Sequence, residues 1–424
     1  MTAVILAITG LLLLLTRVTG VRQMMLAVML VRPSCDRVFD WAKAAFGQQS
    51  GPGAAVNALV IATAIIAIVN VPEIAVSLPL LAWASFLLTA AASLFYTPDP
   101  SGGVRALLAL VTYAATFALP YAVVKNGRTA AQCLAVALSS SVVPSIVALF
   151  ELAMRPTILT GEERLQSTFT HPNIYAFYIV SVVTIIFYLH CSATIKLSAF
   201  MRRATFAYAG YLLLLLALTK TRSAWLAMLL IMAGHAILVD RRWLIPTLSL
   251  PLALLIPGVG ERFADLESGR IDAGFEHLNS LAWRQVLWDN TLEWLTANPS
   301  GILGYGLGSY QSYVPLFFPR GEGQLGVGPH NALLQIYFEM GIAGVTSAAL
   351  LMTSIAFKFI STLGRDTAGS FTMLMMCSGY LIMCYSDNLL DYLQFQWFFW
   401  FTIGTVCASA RFADYAAHVR PALA

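Results

Sequence analysis

Charge is the scarcest commodity in this 424-residue chain. Asp, Glu, Lys and Arg make up 11% of it against 58% hydrophobic residues, and the mean hydropathy is +0.75. Soluble domains carry roughly a quarter of their residues as charges, so a water-soluble fold is excluded. The six cysteines are scattered, with Cys133, Cys377, Cys384 and Cys407 inside apolar runs. No CxxC pair or Cys/His ligand spacing occurs, which excludes a disulfide framework and a zinc site. No Walker loop or dinucleotide fingerprint is present, so the chain shows no means of using a nucleotide itself. Period-two alternation is missing, which removes a membrane barrel. The N-terminus lacks an Ala-x-Ala site and does not read as a removable signal. The formal net charge of +4 lies mostly in short connections and reflects topology rather than nucleic-acid binding.

What the chain does have is apolar runs of about 17–25 residues, long enough to cross ~30 Å of hydrocarbon as helices that satisfy their own backbone. Spans are expected near residues 2–16, 54–71, 73–96, 104–124, 130–153, 174–190, 204–219, 223–240, 243–257, 332–357, 369–388 and 393–410. The expected fold is all-α, a polytopic helical membrane protein of about twelve transmembrane helices. Residues 1–257 would hold the first nine helices, 258–330 one large polar loop with amphipathic helices, and 331–424 the last three helices and a tail.

Orientation follows from Lys and Arg in short loops. Lys125 with Arg128, Lys196 with Arg202 and Arg203, Arg241 with Arg242, Lys358 with Arg365, and the tail with Arg411 and Arg420 would all be cytoplasmic. Alternation then places 154–173, 220–222, 258–330 and 389–392 on the periplasmic side. The large loop carries eight acidic residues, four Arg and no Lys, which suits a translocated segment. Arg17, Arg22, Arg32, Arg37 and Lys43 break the rule, so a longer or second helix is expected within the first 50 residues.

Four of the expected outer segments hold unusual residues. Gln166 to Asn173 leads into a helix, with Pro172 suited to its first turn and Asn173 to its cap. It is either a plain interfacial helix start or a place where His171 and Asn173 line a polar cleft. Thr219-Lys220-Thr221-Arg222-Ser223 puts two cations in a tight loop on the side that disfavours them. An anion such as phosphate would explain them; snorkelling to headgroups is the plainer reading. In the large loop, Leu281, Trp288, Leu292 and Leu295 recur at helical spacing, as do Trp283, Leu287 and Trp294. This predicts an amphipathic helix on the membrane surface, stopped at Asn298-Pro299, with Arg284 projecting from it. Gly304-Tyr305-Gly306-Leu307-Gly308-Ser309-Tyr310 follows as a flexible glycine-spaced turn. His330, between Pro329 and Asn331, can accept a proton near neutrality, or serve only as an interfacial hydrogen-bonding residue. Glu339 lies one helical stretch further on. Asp387, Asn388 and Asp391 close a later hairpin at the same level, where carboxylates are costly and are expected to pair with one of the arginines.

In this order and topology the chain resembles the family of O-antigen ligases and O-antigen polymerases, which includes exopolysaccharide polymerases. The matching motifs are His171-Pro172-Asn173, Thr221-Arg222-Ser223, Arg284, the glycine turn 304–310, and Pro329-His330-Asn331 with Glu339-Met340-Gly341. Each is weak singly. The resemblance implies a metal-independent, inverting glycosyltransferase without cofactors in the bacterial inner membrane, its active site facing the periplasm. Its donor would be a glycan on undecaprenyl diphosphate, and its acceptor a lipid-linked glycan or lipid A–core. Arg222 and Arg284 would stabilise the departing diphosphate, and His330 would take the acceptor proton. His171, Asn173, Lys220, Asn331, Glu339, Asp387 and Asp391 are the expected substrate-binding residues. The hairpin Ser386–Tyr392 and the run Gln396-Trp397-Phe398-Phe399-Trp400 lean slightly toward polymerisation over ligation. A transporter or flippase would instead require midplane helix breaks and repeated halves, for which no convincing repeat is present. A protein acceptor is left open.

Overall fold

The computed structural model describes residues 19–46, 52–161, 163–250, 280–299, 302–318 and 327–419, with the single residues Gly10, Thr16, Leu252 and Gly260. Among them no strand occurs. The helices in chain order are α1 (Val21–Val31), α2 (Asp36–Phe46), α3 (Pro52–Asn70), α4 (Leu78–Ser93), α5 (Pro100–Val123), α6 (Gly127–Ser139) and α7 (Val142–Met154). There follow the single turn α8 (Thr157–Thr160), then α9 (Pro172–Cys191), α10 (Ala199–Leu218), α11 (Arg222–Leu238) and α12 (Leu244–Ser249). The last are α13 (Ser280–Ala297), α14 (Tyr310–Phe317), α15 (Ala332–Ile360), α16 (Thr367–Ser386) and α17 (Leu393–Val419).

The protein is an all-α polytopic membrane protein. Among the described residues, eight helical segments are long and apolar enough to cross a bilayer: α3, α4 extended to Tyr96, α5, α6 with α7, α9, α10, α15 and α16. α11 is a shorter apolar helix at the position of the eighth expected span, 223–240, and the expected span 393–410 falls within α17. Of the span 243–257 only the start is described, as α12. Apart from Gly10 and Thr16, the span 2–16 lies outside the described residues, as does most of 258–279. The span expected from residue 73 starts later, because Pro72–Ile74 makes a tight turn and Pro79 opens α4 behind Ser77.

α9 is the central post. Every residue from Pro172 to Leu189 is buried, so its uniformly apolar surface has protein on all sides. It packs against α10, α11, α16 and α17. The aromatic run of α17 is core rather than cleft. Phe395, Trp397, Phe398, Phe399 and Trp400 are all buried, and Tyr380 stacks on Phe399 at 4.0 Å. The polar atoms of this region find internal partners, as hydrocarbon requires: Trp397 Nε1 donates to Thr112 Oγ1 at 2.9 Å and Gln396 Nε2 to the Leu389 carbonyl at 2.9 Å.

Three of the rule-breaking cations near the N-terminus, Arg22, Arg32 and Arg37, are accounted for by partners, while Arg17 lies outside the described residues. Arg22 donates to Gln132 Oε1 on α6 at 2.9 Å. After α1 the chain turns at Arg32–Ser34, where buried Arg32 lies 3.9 Å from Asp36 and over the rings of Phe39 and Trp397. Arg37 donates to the Phe169 carbonyl at 3.0 Å and lies 3.5 Å from Glu151, while Asp36 accepts from the backbone of Thr170. The first segment therefore clamps the loop that leads to His171.

α15 is broken at Gly341, whose backbone (φ 61°, ψ −157°) only glycine adopts readily. The break frees the carbonyls of Phe338 and Glu339, which accept from the N–H groups of Tyr305 and Gly306, both at 2.9 Å. In return the Ile302 carbonyl accepts from Ala343 at 3.1 Å. The turn at 304–308 is thus grafted onto the kink rather than left flexible, and Gly304, Gly306 and Gly308 all take positive φ to follow it. A Cβ on Gly341 would fall on the Ile302 carbonyl. Gly341→Ala is expected to destabilise the protein by about 2–4 kcal/mol, read as a lowered unfolding temperature in detergent. An unchanged transition would mean that the graft contributes nothing.

Candidate active site

Five loops converge at one end of the bundle: 163–173 ahead of α9, 219–222 between α10 and α11, the start of α13, 327–331 ahead of α15, and 386–392 between α16 and α17. The sequence places a catalytic or binding candidate in each of them, and the hydrogen bonds tie these loops together.

At the centre is Asp387, 1% exposed. Its Oδ1 accepts from Tyr392 Oη at 2.8 Å and from the Asn388 N–H at 2.9 Å, and lies 3.5 Å from His330 Nδ1. Its Oδ2 accepts from Asn173 Nδ2. Burial pushes this carboxyl up, but the His330 hydrogen bond and the Arg284 and His330 charges outweigh it and hold the pKa below the usual carboxylate value. Asp387 is therefore an anion at neutral pH. With Nδ1 turned toward that anion, His330 keeps Nε2 for the cleft, the arrangement of a base oriented by a buried acid.

His330 is held in place on every side. It takes a left-handed backbone (φ 48°), a costly state for a residue with a Cβ, and its N–H donates to Asn388 Oδ1 at 2.6 Å. Its ring meets Trp283 edge to face at 5.6 Å. Trp288 Nε1 donates to the Pro329 carbonyl at 2.7 Å, so α13 is bonded to the turn that carries His330. Arg284, next to Trp283, donates through Nη1 to the Ser386 carbonyl at 2.6 Å, which sets its guanidinium beside the Asp387 loop.

One face of α13, the helix expected to be amphipathic, is covered by protein. The Trp283–Leu287–Trp294 face packs on the protein, with Leu287 buried in a cluster with Tyr310, Phe317 and Phe338, and Trp294 stacked on Phe338 at 5.6 Å. Leu281 and Leu292 remain exposed.

His171, rather than Asn173, caps α9: its Nδ1 accepts from the Asn173 N–H at 3.1 Å. That bond places the ring proton on Nε2. The surrounding protein and the Arg164 guanidinium push the His171 pKa below the usual imidazole value, with Asp387 pulling the other way. His171 is thus a neutral donor facing solvent, stacked near Tyr392 at 6.3 Å.

The candidates divide into two sets. His171 and Asp391 are exposed, and Arg222, Arg284 and His330 are partly so. Asn173, Lys220, Asn331, Glu339 and Asp387 are buried. Lys220 donates its ammonium to the carbonyls of Ile158 (3.1 Å) and Glu163 (2.5 Å). Asn331 caps α15 by accepting from Leu333 and Leu334. Glu339 accepts from the Gly308 N–H at 2.9 Å. These three, expected at the substrate, are spent on backbone, and their burial assigns them to supporting the loops. Sequence reading missed Arg164, whose guanidinium bonds Thr219, Asn173 and Thr221 together. Its one signal was a cation in the loop before His171, on the side that disfavours cations.

Asp391 is accessible yet ringed by protein, as a carboxylate on the floor of a cleft would be. That crowding pushes its pKa up to about 6; the His330 ring draws it down and the Asp387 charge adds to the rise. Among the described residues, no cluster of three or more His, Cys, Asp or Glu is placed to hold a metal ion.

The fold and this end of it define a class: a multi-pass membrane protein with arginines, a histidine and a buried acid gathered at one face. The model of the family described as O-Antigen ligase matches residues 207–349, a stretch that contains Arg222, Arg284 and His330. A protein named O-antigen ligase from Salmonella typhimurium (strain LT2) is 28% identical over 193 residues, which cover 43% of this chain and 43% of that protein. The chain thus matches less than half the length of this relative. Over these stretches the chain is similar to O-antigen ligases, the resemblance that its motif order implied.

A pH prediction follows from Asp391. Its carboxyl titrates near 6 in the folded state against about 4 in an unfolded chain, so the folded state holds the proton more tightly. The sign is that folding loses stability as pH rises from about 4 through about 6. Asp391→Asn is expected to raise the unfolding temperature at pH 7–8 and to leave it unchanged at pH 4. Melting curves of both proteins across that range test it; a difference that persists at pH 4 would assign the effect to something other than this proton.

Proposed function

We propose that this protein transfers a glycan from a polyprenyl diphosphate to an acceptor hydroxyl at the periplasmic face of the bacterial inner membrane. The observation that carries the reading is the junction at Asp387, where the base candidate His330 and the loops bearing Arg222 and Arg284 meet. Arg222 opens α11 directly after Thr221, whose hydroxyl donates to Asn173 Oδ1 at 3.2 Å. The chemistry needs two opposed functions. As the sugar C1–O bond breaks, the electron pair moves onto the diphosphate oxygen, where guanidinium groups neutralise it without a metal. As the acceptor oxygen bonds to C1 from the opposite face, its proton moves to His330 Nε2, and Asp387 stabilises the resulting imidazolium. One displacement of this kind inverts C1, and cleavage of the bond between the glycan and the diphosphate supplies the energy.

A cavity of about 320 Å³ supports a lipid donor. It is lined almost entirely by apolar groups, including Trp83, Phe86 and Met352, and reaches Ala332 and Leu333, just beyond His330, and Leu390, beside Asp391. An isoprenoid tail would fit that lining, with its diphosphate at the arginines.

Two acceptors fit the same chemistry. Polymerisation onto another lipid-linked repeat unit rested on Ser386–Tyr392 and Gln396–Trp400. The first of these belongs to the site under either reading, and the second is packed in the core. Ligation to lipid A–core is favoured by the name of the Salmonella relative.

His330→Ala is expected to reduce transfer by at least about 100-fold while the protein stays inserted; near-normal product would remove the base assignment. Arg222→Lys and Arg284→Lys should each fail to restore wild-type activity, because an ammonium lacks the planar two-point grip; full rescue would mean that charge alone suffices. Transfer should survive EDTA, and a loss restored by a divalent ion would reject the metal-free mechanism. The lipid and polysaccharide profile of cells lacking the chain decides the acceptor: single lipid-linked repeats indicate polymerisation, long lipid-linked chains ligation.

A further inference from the structure

Arg164 lies outside the residues to which the reaction above assigns a part, yet its guanidinium joins two of the site's loops. Nε donates to the Thr219 carbonyl at 2.9 Å, and Nη2 donates to Thr221 Oγ1 at 2.9 Å and to Asn173 Oδ1 at 2.5 Å. We infer that Arg164 is a positioning residue that sets the catalytic histidine through Asn173 and Asp387. The inference rests on His330 being the base.

The reasoning is donor–acceptor accounting. A side-chain amide has one acceptor oxygen and one donor nitrogen, and flipping it exchanges them. Asn173 Oδ1 accepts from Arg164 and from Thr221 Oγ1, which can both donate there, so both its lone pairs are used. Arg164 has no acceptor atom, so a flipped amide would set an NH2 group against a guanidinium. The orientation is forced, and Nδ2 must point at Asp387 Oδ2. Among the described residues that amide is the side chain holding Oδ2; the other partners, Tyr392, the Asn388 N–H and His330, all lie at Oδ1. Without the amide the carboxylate can turn about its own bond and swing Oδ1 away from His330 Nδ1. Arg164 itself cannot drift, because the Thr219 carbonyl and the Thr221 hydroxyl sit on either side of Lys220, whose left-handed backbone (φ 52°) and buried ammonium fix the turn. A lysine at 164 carries the charge but cannot span Thr219, Thr221 and Asn173 together.

The test compares Arg164→Lys, Arg164→Ala, Asn173→Ala and the double variant Arg164→Ala/Asn173→Ala with wild type and His330→Ala. Each is purified in detergent and normalised to folded protein by its unfolding transition. The donor is the polyprenyl-diphosphate glycan that accumulates in cells lacking the chain, and undecaprenyl diphosphate is the binding probe. Both Arg164 variants and Asn173→Ala are expected to lower kcat on the order of 30–100-fold, the range for residues that orient a catalytic group. Donor KM and undecaprenyl diphosphate Kd should stay within about threefold of wild type, and the double variant should be no slower than Asn173→Ala alone. Rescue by lysine, a rise in KM or Kd in place of the kcat loss, multiplicative losses in the double variant, or near-normal turnover of Arg164→Ala would each overturn the inference. If Arg164→Ala does not fold, Arg164→Lys and Asn173→Ala still decide it. Full activity of His330→Ala would instead sink the base assignment itself, separately from these outcomes.

Discussion

A carboxylate removed from water must find a partner for each lone pair or lose its charge, and this end of the bundle is arranged around that requirement at Asp387. Its partners come from four places: the start of α9 through Asn173, the turn before α15 through His330, its own backbone loop, and Tyr392 at the entry to α17. Asn173 and His330 are far from each other and from the 387–392 loop in sequence. Satisfying one buried anion therefore brings together loops that the helices alone would leave merely adjacent. The same anion gives the histidine its tautomer. Structure and proposed chemistry thus meet in a single group, and a change at any of its donors is felt at the base.

The accessible and buried sets of polar residues divide the work. The exposed or half-buried groups, His171, Arg222, Arg284, His330 and Asp391, are of types that bind anions or hydroxyls or exchange protons. Groups behind them, Asn173, Lys220, Asn331 and Glu339, are spent on backbone atoms, helix ends and amide orientation. The three non-glycine residues with positive φ among the described residues, Ser167, Lys220 and His330, all belong to loops of this face. Ser167 is fixed by Glu151 and by the Pro144 carbonyl, Lys220 by the carbonyls of α8 and its loop, His330 by Asn388. Strained backbone persists only where surrounding bonds over-determine it, and such over-determination keeps dipoles and charges in place before a substrate arrives.

The class of the protein was legible in composition, because hydrocarbon admits few architectures and leaves its mark on every span. The site candidates were legible as ordered motifs, and a Lys or Arg in an expected outer loop stands out because it runs against the topogenic preference. What could not be read is which polar group bonds to which. Arg164 is one loop cation among several acidic neighbours until its three partners, 9 to 57 residues away, are seen together. Likewise the run Gln396–Trp400 leans toward polymerisation as a motif, whereas α5 and α16 pack against Trp397 and Trp400. Periodicity reports that a face is apolar; it does not report whether lipid or another helix covers it. The clamp of Arg32, Asp36 and Arg37 on the loop at 168–170 was hidden for the same reason, and it explains cations that loop counting left unresolved.

One helix connects the two halves of the proposed donor. Ala332, Leu333 and Ile336 at the start of α15 line the apolar cavity, and the turn that precedes them presents His330. A shift of this first stretch along its axis would move the wall of a tail site and the base together. The kink at Gly341 isolates that stretch from the remaining turns of α15, and the carbonyls it releases are taken by the turn at 302–306, which is itself bonded to Thr97 at the start of α5 through the Leu307 carbonyl at 2.9 Å. The stretch 332–340 is thus fixed at its first turn by the Asn331 cap and at its last by the glycine graft, and does not depend on the rest of the span for its position. A lipid bilayer varies in thickness and lets long helices tilt. A reacting group carried on a short, separately anchored stretch is insulated from that motion, while the tail it would have to align is held by the same few residues.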